Sequence, residues 1–226
     1  MIITIDGPSG TGKTTIAKLI SEKLGFSYFD TGAMYRSVAW FLKQRHILFS
    51  DAPAVAAALE CFSFKIDNTV PEKKYFVGQE DVTQVIRSPE ITLIVSEISA
   101  MPVVRKLLTA AQRDYGSKGN AVFEGRDMGS VVFPHAEFKF FLTASPEIRA
   151  TRRFLEWKEK NPSLSVSEQE ILEAINKRDE LDSSRELAPL CCPIDARVID
   201  TSSLNVDQVV NIIYKNVKKI KDHETL

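Results

Sequence analysis

A run of residues near the start of the chain carries its strongest chemical signal. It reads Gly-Pro-Ser-Gly-Thr-Gly-Lys-Thr from Gly7 to Thr14 and matches the phosphate-loop pattern G-x-x-x-x-G-K-[ST] in full. In such a loop, backbone N–H groups surround an anion, the lysine reaches the β- and γ-phosphates, and the last hydroxyl can ligate Mg²⁺. The sequence therefore predicts a nucleoside triphosphate site with Mg²⁺. The residues predicted to form it are Gly7, Pro8, Ser9, Gly10, Thr11, Gly12, Lys13, Thr14 and Thr15, with Thr14 as the metal ligand.

Arginine side chains are the second chemical signal. Arg178, Asp182 and Arg185 are spaced i, i+4 and i+7, which places them on one face of a helix. Such a face can bind an anion, and it can also be an ion-paired surface with no ligand.

A second group of arginines points more directly to an anionic ligand. Arg149, Arg152 and Arg153 also share a helical face, and like charges at this spacing repel one another. A polyanion therefore explains them better than self-stabilisation does. Arg36 and Arg126 lie close to the ends of predicted elements, so the chain is expected to hold a second anionic substrate beside the triphosphate.

The elements that must position these groups alternate between strands and helices. Strand patterns cover residues 2–5, 26–29, 121–124, 138–142 and 197–200, and helical patterns cover residues 14–24, 33–43 and 206–221 and begin at Pro146 and Ser167. This alternation predicts an α/β fold: a P-loop three-layer αβα domain with a five-stranded parallel sheet. Ligands should then bind at the carboxyl ends of the strands.

One long stretch, residues 51–119, breaks the alternation. It contains two short strand patterns, at residues 62–66 and 74–77, followed by a helical stretch from Ser88 that Pro102 must kink or break. We interpret this stretch as an insertion that forms a small subdomain within a single domain of residues 1–226.

Composition excludes several classes of protein. A net charge of −1 argues against a broad nucleic-acid or membrane-binding surface, which needs an excess of basic residues. Three cysteines without a C-x-x-C spacing favour neither a disulfide framework nor a zinc site. Without a basic leader or a long apolar run, secretion and membrane spanning are not expected, so the predicted location is the cytoplasm. No exposed apolar helix pattern calls for a protein partner, so we expect a monomer that binds neither nucleic acid nor a membrane.

Five segments together are characteristic of one enzyme family. They are residues 6–10 (Asp-Gly-Pro-Ser-Gly), 30–36 (Asp-Thr-Gly-Ala-Met-Tyr-Arg), 125–129 (Gly-Arg-Asp-Met-Gly), 131–134 (Val-Val-Phe-Pro), and Arg178-Asp179 with Asp182, Arg185 and the following Ala188-Pro189-Leu190. In these segments, and along nearly its whole length, the chain resembles the bacterial-type cytidylate kinases. The phosphate loop is common to many enzymes, whereas the other segments are far more specific.

The resemblance implies a reaction and a division of the chain. It implies transfer of the γ-phosphate of ATP to CMP or dCMP. It also implies a monophosphate-binding region at about residues 31–119, including the extended insertion at about 51–119, and a helical lid with its flanking helices at about residues 149–185.

The resemblance also assigns roles to individual residues. It assigns cytosine binding to Ser96, Arg105 and Asp127, and binding of the sugar to Arg178 and Asp182. It assigns binding of the acceptor phosphate to Arg36, Arg126 and Arg185, and it adds Ser9 and Thr31 as further substrate contacts. The catalytic set, which neutralises charge during transfer, is Lys13, Arg126, Arg178, Arg185, Arg149 and Arg153. Glu124 departs from the pattern, because the family commonly has aspartate there.

Three other functions are compatible with a phosphate loop. A kinase for another monophosphate, or for a hydroxyl acceptor such as shikimate, is one; the hydroxyl acceptor requires a carboxylate base, for which Asp30 or Asp127 is available. A nucleotide-switch module is another, although the excess of arginines near the site suits a second anionic substrate better. A nucleic-acid-processing ATPase is disfavoured by the nearly neutral net charge.

Overall fold

The computed structural model describes residues 1–67, 73–160 and 165–223. The strands in these ranges are β1 (Ile2–Asp6), β2 (Ser27–Asp30), β3 (Phe64–Asp67), β4 (Lys74–Val77), β5 (Glu80–Asp81), β6 (Ala121–Gly125), β7 (Phe138–Thr143) and β8 (Arg197–Asp200). The helices are α1 (Lys13–Leu24), α2 (Thr31–Gln44), α3 (Ala52–Leu59), α4 (Pro89–Ala100), α5 (Pro102–Ser117), α6 (Pro146–Lys160), α7 (Glu168–Ser183) and α8 (Val206–His223). Residues 68–72 of the predicted insertion and 161–164 of the predicted lid lie outside the described residues.

The chain divides into two compact units. The core unit comprises Met1–Phe29 and Tyr115–Leu226, and the second unit comprises Asp30–Asp114. Within the described ranges, every helix is too short or too polar to span a lipid bilayer.

A five-stranded sheet in the order β2-β6-β1-β7-β8 forms the centre of the core unit. Strand β1 pairs in parallel with β6 on one side and with β7 on the other, and β7 pairs in parallel with β8. The predicted five-stranded parallel sheet is therefore confirmed. Because its central strands run in one direction, the loops that follow β1, β6 and β7 leave the same edge of the sheet.

Alternation along the strands gives the sheet two apolar faces. On one face Ile3 and Ile5 of β1 and Val122 of β6 pack in one cluster with Ile16 and Ile20 of α1. Residues Val209, Val210, Ile213 and Val217 of α8 complete that cluster. Burial on both faces explains why the strands read as continuous apolar runs.

Aromatic rings contributed by the alternate strand positions pack together. Phe29 of β2 and Phe123 of β6 stack with ring centroids 4.9 Å apart. Phe133 lies 4.4 Å from Phe123 and Tyr115 lies 4.5 Å from Phe29, centroid to centroid. Tyr28 and Phe29 are consecutive, so they point to opposite faces of the sheet. Tyr28 accordingly packs in the cluster with α1.

The second unit is built around α2 and a three-stranded antiparallel sheet in the order β3-β4-β5. Asp30 caps α2 by accepting a hydrogen bond of 2.8 Å from the Ala33 N–H. Ser88 caps α4, and extended backbone at Met101 separates α4 from α5 at the predicted Pro102 break. Helix α3 and the two-residue strand β5 were not predicted.

Asp6 ties the end of β1 to the segment after β6. Its two carboxylate oxygens accept hydrogen bonds from the backbone N–H groups of Met128, at 2.9 Å, and Gly129, at 2.7 Å. The side chain is 1 % exposed. Burial raises the pKa of Asp6 to about 7, against the opposing effects of these hydrogen bonds and of the Lys13 charge. The segment that carries Arg126 is therefore anchored on a carboxylate whose ionisation is costly.

We expect Asp6 to give the free energy of unfolding a specific pH dependence. Between pH 4 and pH 7 the folded chain retains the Asp6 proton that the unfolded chain releases, so this group makes the protein less stable as the pH rises. The stability of wild type relative to Asp6→Asn should fall by up to about 4 kcal/mol across that range and level off above pH 7. Urea unfolding of both proteins from pH 4 to pH 8 measures it.

A matched control is Asp207→Asn, which alters an exposed aspartate of the same unit. It should retain the wild-type pH profile. Parallel profiles for wild type and Asp6→Asn would show that Asp6 does not titrate in this range.

Candidate active site

The loop between β1 and α1 depends on glycine at two positions for different reasons. Gly7 has φ of +144°, and a Cβ atom there would lie 2.0 Å from the carbonyl oxygen of Leu142 on β7. Gly12 has φ of +87° with open space around it, so only its backbone conformation requires glycine. Helix α1 begins directly after Gly12, and its positive N-terminal end faces the loop.

Lys13 lies inside the loop and is only 5 % exposed. Its Nζ donates a hydrogen bond of 2.6 Å to the Pro8 carbonyl oxygen and a longer one of 3.5 Å to Thr11 Oγ1. Burial lowers the pKa of Lys13 well below its ordinary value, and the nearby charges of Arg126 and Arg178 lower it further. The ammonium group is thus held among other cations, where a bound phosphate would stabilise it.

Thr14 and Glu124 meet at the start of α1. Thr14 Oγ1 donates a hydrogen bond of 2.6 Å to Glu124 Oε1, and Glu124 is buried at the end of β6. Because the hydroxyl proton is directed to the carboxylate, the lone pairs of the Thr14 oxygen remain for a cation. Hydroxyl and carboxylate oxygens are the ligand types that Mg²⁺ prefers, so these residues fit the predicted metal. Among the described residues, no cluster of three or more His, Cys, Asp or Glu side chains is arranged to hold a metal by itself.

Asp182 binds two of the predicted phosphate-binding arginines. Arg126 Nε donates to Asp182 Oδ2 at 2.8 Å, and Arg185 forms an ion pair with Asp182 Oδ1. Burial alone would raise the pKa of Asp182, but the charges of Arg126, Arg185 and Arg178 outweigh it and lower the pKa. The carboxylate is therefore ionised and holds the guanidinium groups together.

The element that carries Arg185 differs from the prediction. Helix α7 ends at Ser183 and is capped at Ser184, so Arg185 follows the helix and does not lie on its face. It reaches Asp182 from the segment after the helix. Arg178, on α7, acts electrostatically on both Lys13 and Asp182. Four predicted catalytic cations of the core unit thus belong to one electrostatic group: Lys13, Arg126, Arg178 and Arg185.

Arg149 and Arg153 contact Ser9 of the phosphate loop. Arg149 is 3 % exposed, donates to the Ser9 carbonyl oxygen at 3.0 Å, and pairs with Asp179 Oδ2 at 2.6 Å. Arg153 donates to Ser9 Oγ at 3.4 Å, and its guanidinium carbon lies 5.4 Å from the centroid of the Trp157 ring. Both residues therefore lie beside the predicted triphosphate site.

Arg152 departs from its two neighbours. Its guanidinium donates to Thr201 Oγ1 at 3.1 Å and also to the Thr201 carbonyl oxygen. Repulsion between like charges was the reason to expect a polyanion at Arg149, Arg152 and Arg153. The structure gives all three guanidinium groups partners within the protein, Ser9 for Arg149 and Arg153 and Thr201 for Arg152, so repulsion alone no longer requires a ligand there.

Arg36, in the second unit, shares a carboxylate with a residue that the sequence analysis missed. Arg36 pairs with Asp30 Oδ2 at 3.3 Å, and Arg87 pairs with the same oxygen at 3.1 Å. Among the described residues, the buried Arg36 Nε has no hydrogen-bond partner. Arg87 lies on a 3₁₀ turn, Val85–Arg87, and is 57 residues from Asp30 in the sequence, so no local pattern paired the two.

The other predicted residues of the second unit lie on α2, α4 and α5. Thr31 is buried at the first position of α2, and Ser96 is half-buried on α4. Arg105 of α5 is 5 % exposed, donates to the Ser99 carbonyl oxygen at 3.0 Å, and lies 5.5 Å from the centroid of the Tyr35 ring. The hydrogen bond from Arg105 of α5 to Ser99 of α4 thus holds the Arg105 guanidinium close to the C-terminal end of α4.

Asp127 belongs to the core unit and is 2 % exposed. It directly precedes a π-helical turn, Met128–Val132, and its carbonyl oxygen accepts hydrogen bonds from Val131 at 2.9 Å and Val132 at 3.1 Å. The turn fixes the backbone at the residue that the resemblance assigns to cytosine.

Comparison with known proteins decides which family the chain represents. The family model described as Cytidylate kinase matches residues 3–219. The chain belongs to the cytidylate kinase family. The cytidylate kinase of Protochlamydia amoebophila (strain UWE25) is 48 % identical, over 98 % of this chain and 99 % of that protein. The cytidylate kinase of Carboxydothermus hydrogenoformans is 44 % identical, over 93 % of this chain and 94 % of that protein.

A solved structure shows the same fold outside the cytidylate kinase family. The shikimate kinase of Bacteroides thetaiotaomicron superposes with a TM-score of 0.50 and 12 % sequence identity, over 96 % of this chain and 98 % of that chain. At this identity the likeness concerns the α/β fold alone, so membership in the cytidylate kinase family takes precedence over the shikimate kinase alternative.

Lys13→Ala should abolish most of the activity while the fold persists. Burial and the neighbouring arginines make the charged ammonium unfavourable in the folded chain, so its removal should not lower the unfolding temperature. The loss of its positive charge from the phosphate site should lower kcat about 100- to 1000-fold. Steady-state kinetics and thermal unfolding of the purified variant measure both effects. Lys18→Ala, at an exposed position of α1, is the matched control and should behave as wild type. Near-normal turnover of Lys13→Ala would contradict the role assigned to the loop.

Proposed function

We propose that the chain transfers the γ-phosphate of ATP to CMP or dCMP and releases ADP with CDP or dCDP. Membership in the cytidylate kinase family supports this reaction. The observation that carries it in the structure is the group of cations at the carboxyl end of the sheet, where Arg126 and Arg185 share the Asp182 carboxylate. Such a group suits a reaction between two phosphate-bearing substrates.

The acceptor determines which groups the reaction needs. The phosphate of a nucleoside monophosphate is already a charged nucleophile, so no general base is required. Catalysis then consists of holding two phosphates in line and neutralising the charge that shifts during transfer. Lys13, Arg126 and Arg185 supply positive charge for this step, and Asp182 keeps the two arginines in place.

Mg²⁺ is proposed as the metal that accompanies ATP. Thr14 is its protein ligand, and Glu124 orients the Thr14 hydroxyl by accepting its hydrogen bond. When bound, the ion neutralises charge on the phosphate oxygens.

Several finer assignments are part of the same proposal. Ser96, Arg105 and Asp127 are assigned to cytosine, and Arg178 with Asp182 to the sugar. Thr31 and Arg36 are assigned to the acceptor as well, within the monophosphate-binding region at about residues 31–119. The lid at about residues 149–185 contributes Arg149 and Arg153 to the triphosphate, where the contacts of both residues with Ser9 support the assignment. The monomeric state and cytoplasmic location stay predictions.

A panel of acceptors tests the proposal directly. ATP-dependent ADP formation is measured with CMP, dCMP, UMP, AMP, GMP and shikimate, each in the presence of Mg²⁺. Activity should be highest with CMP and dCMP. Shikimate as the preferred acceptor would replace this proposal with the hydroxyl-acceptor alternative, and ADP formation independent of any acceptor would indicate an ATPase.

Asp182→Ala should weaken the monophosphate specifically. It removes the carboxylate assigned to the sugar and releases Arg126 and Arg185, so KM for CMP should rise about 10- to 100-fold while KM for ATP changes little. Initial rates over a matrix of both substrate concentrations measure the two constants. Glu180→Ala, at an exposed position of the same helix, is the control. Equal increases in both KM values would argue that Asp182 acts only within its ion pairs.

A further inference from the structure

Glu124 is held from two sides through a single oxygen atom. Its Oε1 accepts the Thr14 hydroxyl at 2.6 Å and also the Tyr28 hydroxyl at 3.1 Å. Both the Tyr28 side chain, 7 % exposed, and the Glu124 side chain, 5 % exposed, are buried. Tyr28, a member of the apolar cluster, and Thr14, the residue assigned to Mg²⁺, therefore donate to the same oxygen of Glu124.

The sheet explains why Tyr28 is available for this contact. Strand β2 lies at the sheet edge next to β6, which carries Glu124. Tyr28 and Glu124 both project to the face that packs against α1, and α1 carries Thr14 in its first turn. The apolar part of the tyrosine belongs to the cluster that contains Ile16 and Ile20, while its hydroxyl is directed to the carboxylate.

We propose that Tyr28 is a positioning residue for the metal-binding end of the phosphate loop: its hydroxyl fixes the Glu124 carboxylate so that Glu124 in turn orients the Thr14 hydroxyl. Glutamate has one more rotatable bond than aspartate, so its carboxylate can occupy more rotamer positions. Hydrogen bonds from two hydroxyl groups to one oxygen stabilise one of these positions. Tyr28 thus compensates for the longer side chain at position 124.

This inference rests on the proposed function only in assigning Mg²⁺ to Thr14. Its test therefore uses a binding measurement that does not require the acceptor. Mn²⁺ serves as the probe, and its binding to the protein–ATP complex is followed by electron paramagnetic resonance. The same preparations are then assayed for the Mg²⁺ concentration that gives half-maximal turnover with CMP.

Tyr28→Phe removes only the hydroxyl and retains the ring in the apolar cluster. The dissociation constant of Mn²⁺ and the half-saturating Mg²⁺ concentration should each rise about 10-fold, the lower end of the range for losing the partner of a metal ligand, because Tyr28 acts on Thr14 through Glu124. KM for CMP should stay within twofold of wild type. Tyr214→Phe is the matched control, because Tyr214 packs against the same cluster from α8 and has its ring beside Lys23 at the other end of α1.

A double-substitution cycle separates positioning from simple packing. The shorter carboxylate of Glu124→Asp cannot extend to Tyr28 as glutamate does, so Tyr28→Phe should change Mn²⁺ binding less than twofold in the Glu124→Asp background. A purely structural role for the Tyr28 hydroxyl predicts the same loss in both backgrounds, and that result would overturn the proposal. Wild-type Mn²⁺ affinity in Tyr28→Phe, or equal losses in Tyr28→Phe and Tyr214→Phe, would overturn it too.

Failure of the proposed function is distinguishable from failure of this inference. A chain that binds Mn²⁺ with ATP but phosphorylates neither CMP nor dCMP would refute the proposed function, and its Mn²⁺ affinities would still show whether Tyr28 positions Glu124.

Discussion

Like charges have to be held together at the carboxyl end of the sheet before any phosphate arrives. Arg126 and Arg185 share the carboxylate of Asp182, and burial together with the charges of Arg126 and Arg178 lowers the pKa of Lys13. A few buried carboxylates oppose this repulsion, and each of them does so through specific hydrogen bonds. Buried charges are stable only when they are paired in this way, so the geometry of the site depends on where those carboxylates sit.

The parallel sheet is what places the carboxylates. Strands β1, β6 and β7 are neighbours in parallel register, so the phosphate loop, the segment beginning at Arg126 and the start of α6 all leave one edge. Asp6 joins the first two of these by accepting the first two backbone N–H groups of the π-helical turn, those of Met128 and Gly129. The close approach of Gly7 to the Leu142 carbonyl oxygen joins the first and the third. The loop conformation is thus a property of the folded core, because three strands determine it together.

Local patterns allowed most of the elements to be predicted, and the family resemblance supplied the assigned residues, but neither predicted the contacts between distant strands. The loop motif, the helix start at Ser167 and the Pro102 break depend on a few neighbouring residues, and all three appear in the structure where the sequence places them. Arg185 shows the limit of periodicity: its spacing placed it on the helical face of Asp182 and left both an anion site and an ion pair open, whereas the helix ends at Ser183 and the ion pair with Asp182 comes from the next segment. Tyr28 and Glu124 are 96 residues apart, and only the order of the strands makes them neighbours.

The hydrogen bond from Lys13 to the Pro8 carbonyl has a consequence for competition among anions. A ligand that recruits this ammonium must displace a neutral acceptor already placed at 2.6 Å. For the ammonium donor this exchange replaces a neutral oxygen by an anionic one, so a polyphosphate can make it favourable. The proposed triphosphate therefore has to compete with the loop's own carbonyl for Lys13, and so does any other anion that binds at this position.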